Sequence, residues 1–256
     1  MTATQEPQVA WREDAPAPDQ DGVMERGFTV EGERDTITGV MWAPTSLPAD
    51  SPLVLIGHGG GGNKRAATVV PTGRGFVREH GIPAVCIDAP GHGERGGAQS
   101  RSPEYYALWQ DAGVMTDHAI ADWKRVLTAL LATGMFDADR VGWSGMSMGS
   151  LIGVPYVAAE PRIRAAALGL CGLRGETPSR SNAGEVLAAA APKVTVPVAF
   201  MVQWDDERFE RDSSFELFAL LGSADKRLSA HPGAHGEMPP EGRAYARAFL
   251  AERLRG

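Results

Sequence analysis

The chain has 256 residues, a formal net charge of −7, 43% hydrophobic residues, 31 Gly and 2 Cys. That apolar content can fill one large core and excludes a wholly disordered chain. The negative balance argues against a dedicated nucleic-acid binder, two cysteines exclude a disulfide scaffold, and no apolar run reaches the ~18 residues a membrane helix needs.

Residues 1–22 are rich in Pro, Gln, Asp and Ala and read as a loose arm over the surface, with 23–256 as a single α/β domain. The opening MTATQEPQVAWRED lacks the charged and apolar regions of a secretory signal. A cytoplasmic protein is expected, with Cys86 and Cys171 as buried thiols in a reducing compartment. Alternating runs at 28–31 and 36–43 predict an antiparallel hairpin. The apolar run 53–56 predicts a strand that ends in His58-Gly59-Gly60-Gly61-Gly62. Glycine N–H groups approach an oxyanion without side-chain obstruction. Gly60 is the first choice for such a donor and Gly61 the second.

From Gly57 the same stretch fits G-x-G-x-x-G, the dinucleotide fingerprint, which wants an acidic residue about 20 positions on. Asp88 lies 31 residues after Gly57 (88 − 57), too far for that role. A phosphate-binding P-loop fails too, because position 63 is Asn where Lys is required. Lys64 and Arg65 read as solvated loop charges. Across 65–80, Pro71, Gly73 and Gly75 interrupt an otherwise helical pattern.

Ala84–Ile87 predicts the next strand, ending at Asp88. The connection 96–115, with Tyr105, Tyr106 and Trp109, either walls the site or covers the sheet edge. Residues 116–133 put Ile120, Trp123, Leu127, Leu130 and Leu131 on one helical face. A strand over 140–143 then feeds Gly145-Met146-Ser147-Met148-Gly149, with a helix over 148–159. A nucleophilic serine needs a sharp strand-to-helix turn that holds Oγ clear of the backbone. Flanking glycines permit that turn, and the helix N-terminus favours developing negative charge. The N–H of Met148 is the second expected oxyanion donor, and Met146, Met148 and Trp204 are candidates for the substrate-pocket lining.

A strand over 165–170 and a short helix over 184–191 leave little room for an inserted lid. The strand 198–202 runs into Gln203-Trp204-Asp205-Asp206-Glu207, where a triad acid would orient an imidazole. Chemistry alone leaves Asp205 and Asp206 both open. Helices follow over 213–221 and 243–254. Between them lies Ser229-Ala230-His231-Pro232-Gly233-Ala234-His235-Gly236. His235, set among small residues, is the expected general base, because imidazole titrates near neutral pH. His231, before a proline, reads as a strand-end histidine. The alternation of strands and helices predicts a doubly wound, mostly parallel sheet with an antiparallel N-terminal hairpin and no large cap domain. The order Ser147, Asp206, His235 matches nucleophile, acid and base.

The pieces LVLIGHGGGGNK (53–64), IDAPGHGER (87–95), GMSMG (145–149) and VPVAFMVQWDDERF (196–209) resemble the α/β-hydrolase superfamily, in its dienelactone-hydrolase-like and small carboxylesterase branch. The resemblance covers roughly 28–254. It implies a serine esterase with no cofactor and no metal, acting on a small-molecule ester, lactone or thioester through an acyl-enzyme. Transfer to a nucleophile other than water, as in an acyltransferase or perhydrolase, is the neighbouring reading on the same scaffold. From other classes come a dinucleotide-dependent oxidoreductase and a non-catalytic binding protein. No nucleic-acid partner and no membrane insertion are implied.

The family's acid loop reads apolar–Gly–x–x–Asp, which puts the acid at Asp206, with Gln203 standing where the family has Gly. Dienelactone hydrolases proper use a Cys nucleophile, whereas this elbow carries Ser147. Asp88, His92 and Arg95 fall in a family motif that turns the chain out of its strand, and no catalytic role is implied for them.

Overall fold

Apolar strand residues of this chain fill two separate cores, and their alternation along each strand is the reason. In the computed structural model, which describes residues 6–12 and 21–255, the strands are β1 (Ala10–Trp11), β2 (Val23–Glu31), β3 (Thr36–Pro44), β4 (Ser51–Gly57), β5 (Ala84–Ile87), β6 (Phe136–Gly145), β7 (Ile163–Gly169), β8 (Val198–Gln203) and β9 (Lys226–His231). They form one sheet in the order β1-β2-β3-β5-β4-β6-β7-β8-β9. Pairing is antiparallel from β1 to β5 and parallel from β5 through β4 to β9.

The helices are α1 (Val69–His80), α2 (Pro103–Leu108), α3 (Ala112–Leu131), α4 (Met148–Ala159), α5 (Ala183–Ala190), α6 (Arg211–Leu220) and α7 (Pro240–Leu254). Leu53, Leu55, Val141, Trp143, Leu168 and Phe200 turn to one face, where Trp123, Leu127, Leu151 and Leu217 of α3, α4 and α6 cover them. Val54, Ile56, Ala84, Cys86, Ala167 and Met201 turn to the other, under Phe76 of α1 and Phe249 and Leu250 of α7. Successive strand residues point to opposite faces, so unbroken apolar runs suit a sheet covered on both sides. The α/β sheet, its antiparallel start and its parallel remainder match the expected fold class.

Three segments carry more regular structure than their sequence predicts. Of the arm expected over 1–22, residues 1–5 and 13–20 lie outside the described residues. Ala10 and Trp11 pair with Thr29 and Phe28, and the Trp11 ring meets Phe28 edge-on at 5.8 Å. Over 65–80 the helix is continuous from Val69, because Pro71 sits in its first turn, where a missing N–H costs nothing. Gly73 and Gly75 are packing sites: a Cβ at Gly73 would strike the Trp42 indole and one at Gly75 the Arg247 guanidinium. The connection 96–115 carries α2, started by the Ser102 side chain accepting the Tyr105 N–H at 3.2 Å, and the start of α3, where Asp111 accepts from Val114 N–H at 3.2 Å. Among the described residues no helix is long and apolar enough to cross a membrane.

Candidate active site

The parallel strands β4, β6, β7 and β8 end at one edge of the sheet, and loops from that edge carry the expected site residues. Ser147 stands between β6 and α4 with φ 58° and ψ −122°, a conformation an L-residue holds only under constraint. The constraint is visible. Ser147 N–H donates to the Gly169 carbonyl at 3.0 Å. The fully buried Ser150 hydroxyl donates to the Gly145 carbonyl at 2.6 Å and accepts the Gly169 N–H at 2.8 Å. A Cβ at Gly149 would run into the Gly57 carbonyl, and one at Gly145 into the Gly149 carbonyl. The glycines therefore let the first turn of α4 dock against the ends of β4 and β6, and the serine is left proud of the backbone.

His235 and Asp206 meet Ser147 from two further loops. His235 Nε2 lies 2.8 Å from Ser147 Oγ, and its Nδ1 lies 2.8 Å from Asp206 Oδ2. With a carboxylate at Nδ1, the ring carries its proton there and Nε2 accepts from the serine hydroxyl. Asp206 Oδ1 accepts the N–H groups of Arg208 and Phe209 at 2.8 and 3.1 Å, which fixes the carboxylate plane. Asp205 turns elsewhere and accepts the Gly233 N–H at 3.1 Å. Of the two adjacent carboxylates, only Asp206 reaches the ring.

The loop that carries His235 is held by side chains along its length. Gln203 Nε2 donates to the carbonyls of Pro232 and Ala234, both at 3.3 Å. Glu237 accepts the Ala234 N–H at 2.8 Å, and Glu207 accepts the His235 N–H at 2.9 Å. The last contact holds the Glu207 carboxyl below the usual carboxylate range. Gly233, at φ +112°, supplies a turn that L side chains rarely adopt.

Two backbone donors belong to residues that adjoin Ser147 or share its cavity. Among the described residues the N–H of Met148, the first residue of α4, has no acceptor, and neither has that of Gly60. Gly60 lies against the buried Tyr105 ring, which a Cβ would meet at 2.7 Å. The neighbouring His58 donates from Nδ1 to the Gly59 carbonyl at 2.8 Å and accepts the Ala89 N–H at Nε2, 3.0 Å away. Burial pushes its pKa down to about 4. A cavity of about 460 Å³ opens over Ser147 and His235 and runs between the glycine loop, the start of α1 and the first turns of α7. Met146, Leu170 and Met238 supply apolar wall, and Arg208, Arg243 and Arg247 supply charge. A second cavity of about 10 Å³ also touches Ser147 and is closed by Tyr105, Leu151 and Phe209.

Among solved structures, a cold-adapted esterase from an Arctic intertidal metagenomic library, in complex with polyethylene glycol, is 35% identical to this chain, with a TM-score of 0.84. The match covers 96% of this chain and 100% of that one. The chain belongs to the α/β-hydrolase esterases. It is a carboxylic ester hydrolase. The fold alone is shared with more distant structures. These include an acetyl xylan esterase from Paenibacillus sp. R4 (16% identity, 97% of this chain and 89% of that one, TM-score 0.76). Est1E from Butyrivibrio proteoclasticus, solved with ferulic acid, is another (16% identity, 93% and 99%, TM-score 0.66). No family model matches the chain, and no curated protein matches it.

Within this esterase some expected positions move. Trp204 does not line the cavity: its N–H continues the β8–β9 ladder to the His231 carbonyl at 2.7 Å. The indole instead lies under the Arg211 guanidinium at 4.2 Å and beside Phe215. Strand alternation explains it, since Gln203 points to the His235 loop and its neighbour must point away. The Met148 side chain is also absent from the lining and packs in the core. Met146 does line the cavity. Lys64, expected to be solvated, is 3% exposed. It binds Asp88 at 2.5 Å and Glu94 at 2.6 Å. His231, as expected, stays at the strand end, 3.0 Å from the Ser229 hydroxyl.

Sequence reasoning did not single out Ser150, Glu207, Arg208 or Arg243. A serine three residues after the elbow serine and a carboxylate beside the acid loop are signals, but only the folded contacts give them meaning.

Proposed function

We propose that the esterase hydrolyses small-molecule carboxylic esters through an acyl-enzyme on Ser147. His235 Nε2 takes the Ser147 proton as Oγ attacks the acyl carbonyl. Asp206 holds the ring in the required tautomer and stabilises the imidazolium that forms. The N–H groups of Met148 and Gly60 donate to the oxyanion of the tetrahedral intermediate, each worth about 3–4 kcal/mol of barrier where such a donor has been removed elsewhere. His235 returns its proton to the leaving alkoxide, and the alcohol departs. Water then repeats the sequence: it loses a proton to His235, adds to the acyl carbon, and releases the acid as Ser147 regains its proton.

The observation that carries this reading is the continuous line of hydrogen bonds from the Ser147 hydroxyl through the His235 ring to the Asp206 carboxylate, with both separations 2.8 Å. The likeness to esterases supports ester substrates. We read 23–256 as the hydrolase domain with 1–22 as its arm. A cytoplasmic setting is supported by Cys86 and Cys171, both buried free thiols.

The test is p-nitrophenyl acetate hydrolysis by the protein and by Ser147→Ala. The variant is expected to lose activity by more than about 10⁴-fold with its melting temperature retained. Ester hydrolysis at the parent rate in Ser147→Ala would overturn the assignment.

A further inference from the structure

Three consecutive carboxylates, Asp205, Asp206 and Glu207, follow β8, and each holds a different point of the loop between β9 and α7. Asp205 takes the Gly233 N–H, Asp206 the His235 ring and Glu207 the His235 N–H, at 3.1, 2.8 and 2.9 Å. Among the described residues no backbone carbonyl accepts the His235 N–H, so the Glu207 side chain supplies the partner that the backbone does not. The histidine is thus gripped at both ends by residues adjacent in sequence: its ring by Asp206, its main chain by Glu207. The Arg208 guanidinium lies 3.8 Å from Glu207, so the His235 N–H is the closer contact.

A backbone N–H binds a carboxylate more strongly than a neutral oxygen, and here that bond fixes the Cα from which the imidazole hangs. A catalytic group displaced by about 1 Å can cost roughly 100-fold in rate. The same carboxylate brings charge, and an anion near an imidazole favours its protonated form. That is the form a general base takes in the transition state of acyl transfer. The His235 N–H and the charge of its ring hold the Glu207 carboxyl below the usual range, against burial and the like charge of Asp206. The other charged groups around His235 are Asp205, Asp206 and Arg208 on the acid loop, Glu237 on its own loop, and Arg243 and Arg247 on α7, which share its cavity. The Glu207 side chain is 52% exposed, so its field at the ring is weak and open to screening by salt.

We infer that Glu207 is a second carboxylate partner of His235, holding it through the backbone N–H and supporting the imidazolium that forms during acyl transfer. Glu207 acts through His235 rather than on the ester, and is a positioning residue. The inference rests on the proposed acyl-enzyme reaction at Ser147, in which His235 is the base.

Steady-state kinetics on p-nitrophenyl acetate across the pH range, with Glu207→Gln and Glu207→Ala, separate the two effects. Gln keeps an acceptor for the His235 N–H and loses the charge, whereas Ala loses both. Glu207→Gln is expected to lower the plateau kcat about two- to threefold. It should also move the acid limb of kcat/KM to lower pH by about 0.3–0.5 unit, because an imidazolium with one fewer anion beside it gives up its proton earlier. Glu207→Ala should show the same displacement of the limb with a kcat loss of about tenfold or more. Its KM should stay within about twofold of the parent, since the ester is not touched. At about 0.5 M salt the limb of the parent should approach that of Glu207→Gln. Parent-like kcat in Glu207→Ala would overturn the inference. So would an unmoved acid limb in Glu207→Gln, whatever its kcat, because a merely structural contact leaves the limb in place. Undiminished hydrolysis by His235→Ala, measured alongside, would instead remove the serine reading on which it rests.

Discussion

At the scale of single residues, the pair Asp205 and Asp206 shows how neighbouring identical side chains come to do different work. Asp206 Oδ1 is saturated by two backbone N–H groups, which leaves Oδ2 for the imidazole. Asp205 clamps Gly233 in the loop that presents the same imidazole. Asp206→Asn keeps the shape but removes the charge and the tautomer preference, so kcat should fall by about 10⁴-fold. Asp205→Asn loses one loop contact and should cost kcat far less, about tenfold or under. Steady-state kinetics of both variants on one ester check the ranking, and equal losses would contradict it.

The sequence left these two carboxylates open on chemistry alone, and the family resemblance pointed to Asp206. Ser147 and His235, which the structure brings within 2.8 Å of each other, stood out in the sequence because each lies among glycines in a stretch whose neighbours have no other evident purpose. Trp204 was misread because strand alternation sends its side chain away from the cavity, a fact that depends on the register of β8 against β9.

At the scale of elements, the glycine loop after β4 is anchored by Lys64. Its N–H binds Asp88 Oδ1 at 2.8 Å, and its ammonium lies between Asp88 and Glu94. Burial alone would raise the Asp88 pKa, but the Lys64 N–H and ammonium, the Glu94 N–H and the Thr38 hydroxyl hold it below its usual value. Glu94 in turn pairs with Arg12, beside β1, at 2.6 Å. Lys64→Met removes one partner of a buried pair and should destabilise the fold by about 3–5 kcal/mol, read as a drop in the urea midpoint. Adding Asp88→Asn should recover part of that loss, because the carboxylate left without its cation is then gone. No recovery in the double variant would show that the loss has another origin.

The sequence offered no sign of this burial. Lys64 follows five polar or glycine residues and looks like loop. Only the pairing of β3 and β5 brings Thr38 and Asp88 round it. Elements with a strong period fared better: the α3 face with Trp123, Leu127 and Leu130 is buried as its spacing predicts. The helix α1 was obscured because its glycines answer to Trp42 and Arg247, which are distant in sequence.

At the scale of the whole molecule, the buried histidine beside the site links stability to pH. Burial lowers the His58 pKa from 6.5 to about 4, so between those values the unfolded chain binds a proton that the folded one refuses. Stability from this group is complete above pH 6.5 and falls as pH drops towards 4, by about 3 kcal/mol in all. His92, also lowered by burial, adds in the same direction. Glu94, held down to about 2 by Arg12 and Lys64, contributes stability above the ordinary carboxylate range that is lost as pH falls through its folded value. Melting temperatures should therefore decline steadily from pH 7 to 4.5, with a shallower decline in His58→Gln. An identical slope in the variant would assign the effect to other groups.

The architecture as a whole was largely legible, because unbroken apolar strands alternating with helices leave few sheets that bury both faces. The described part of the arm was not, since a two-residue strand held by Trp11 on Phe28 leaves no periodic trace. Peptide mapping by mass spectrometry after treatment with a fluorophosphonate tests directly whether Ser147 is the nucleophile. A single phosphonyl adduct on Ser147 is expected, formed in step with the loss of esterase activity and slowed strongly by His235→Ala. Complete inactivation with Ser147 unmodified, or an adduct on another residue, would contradict it.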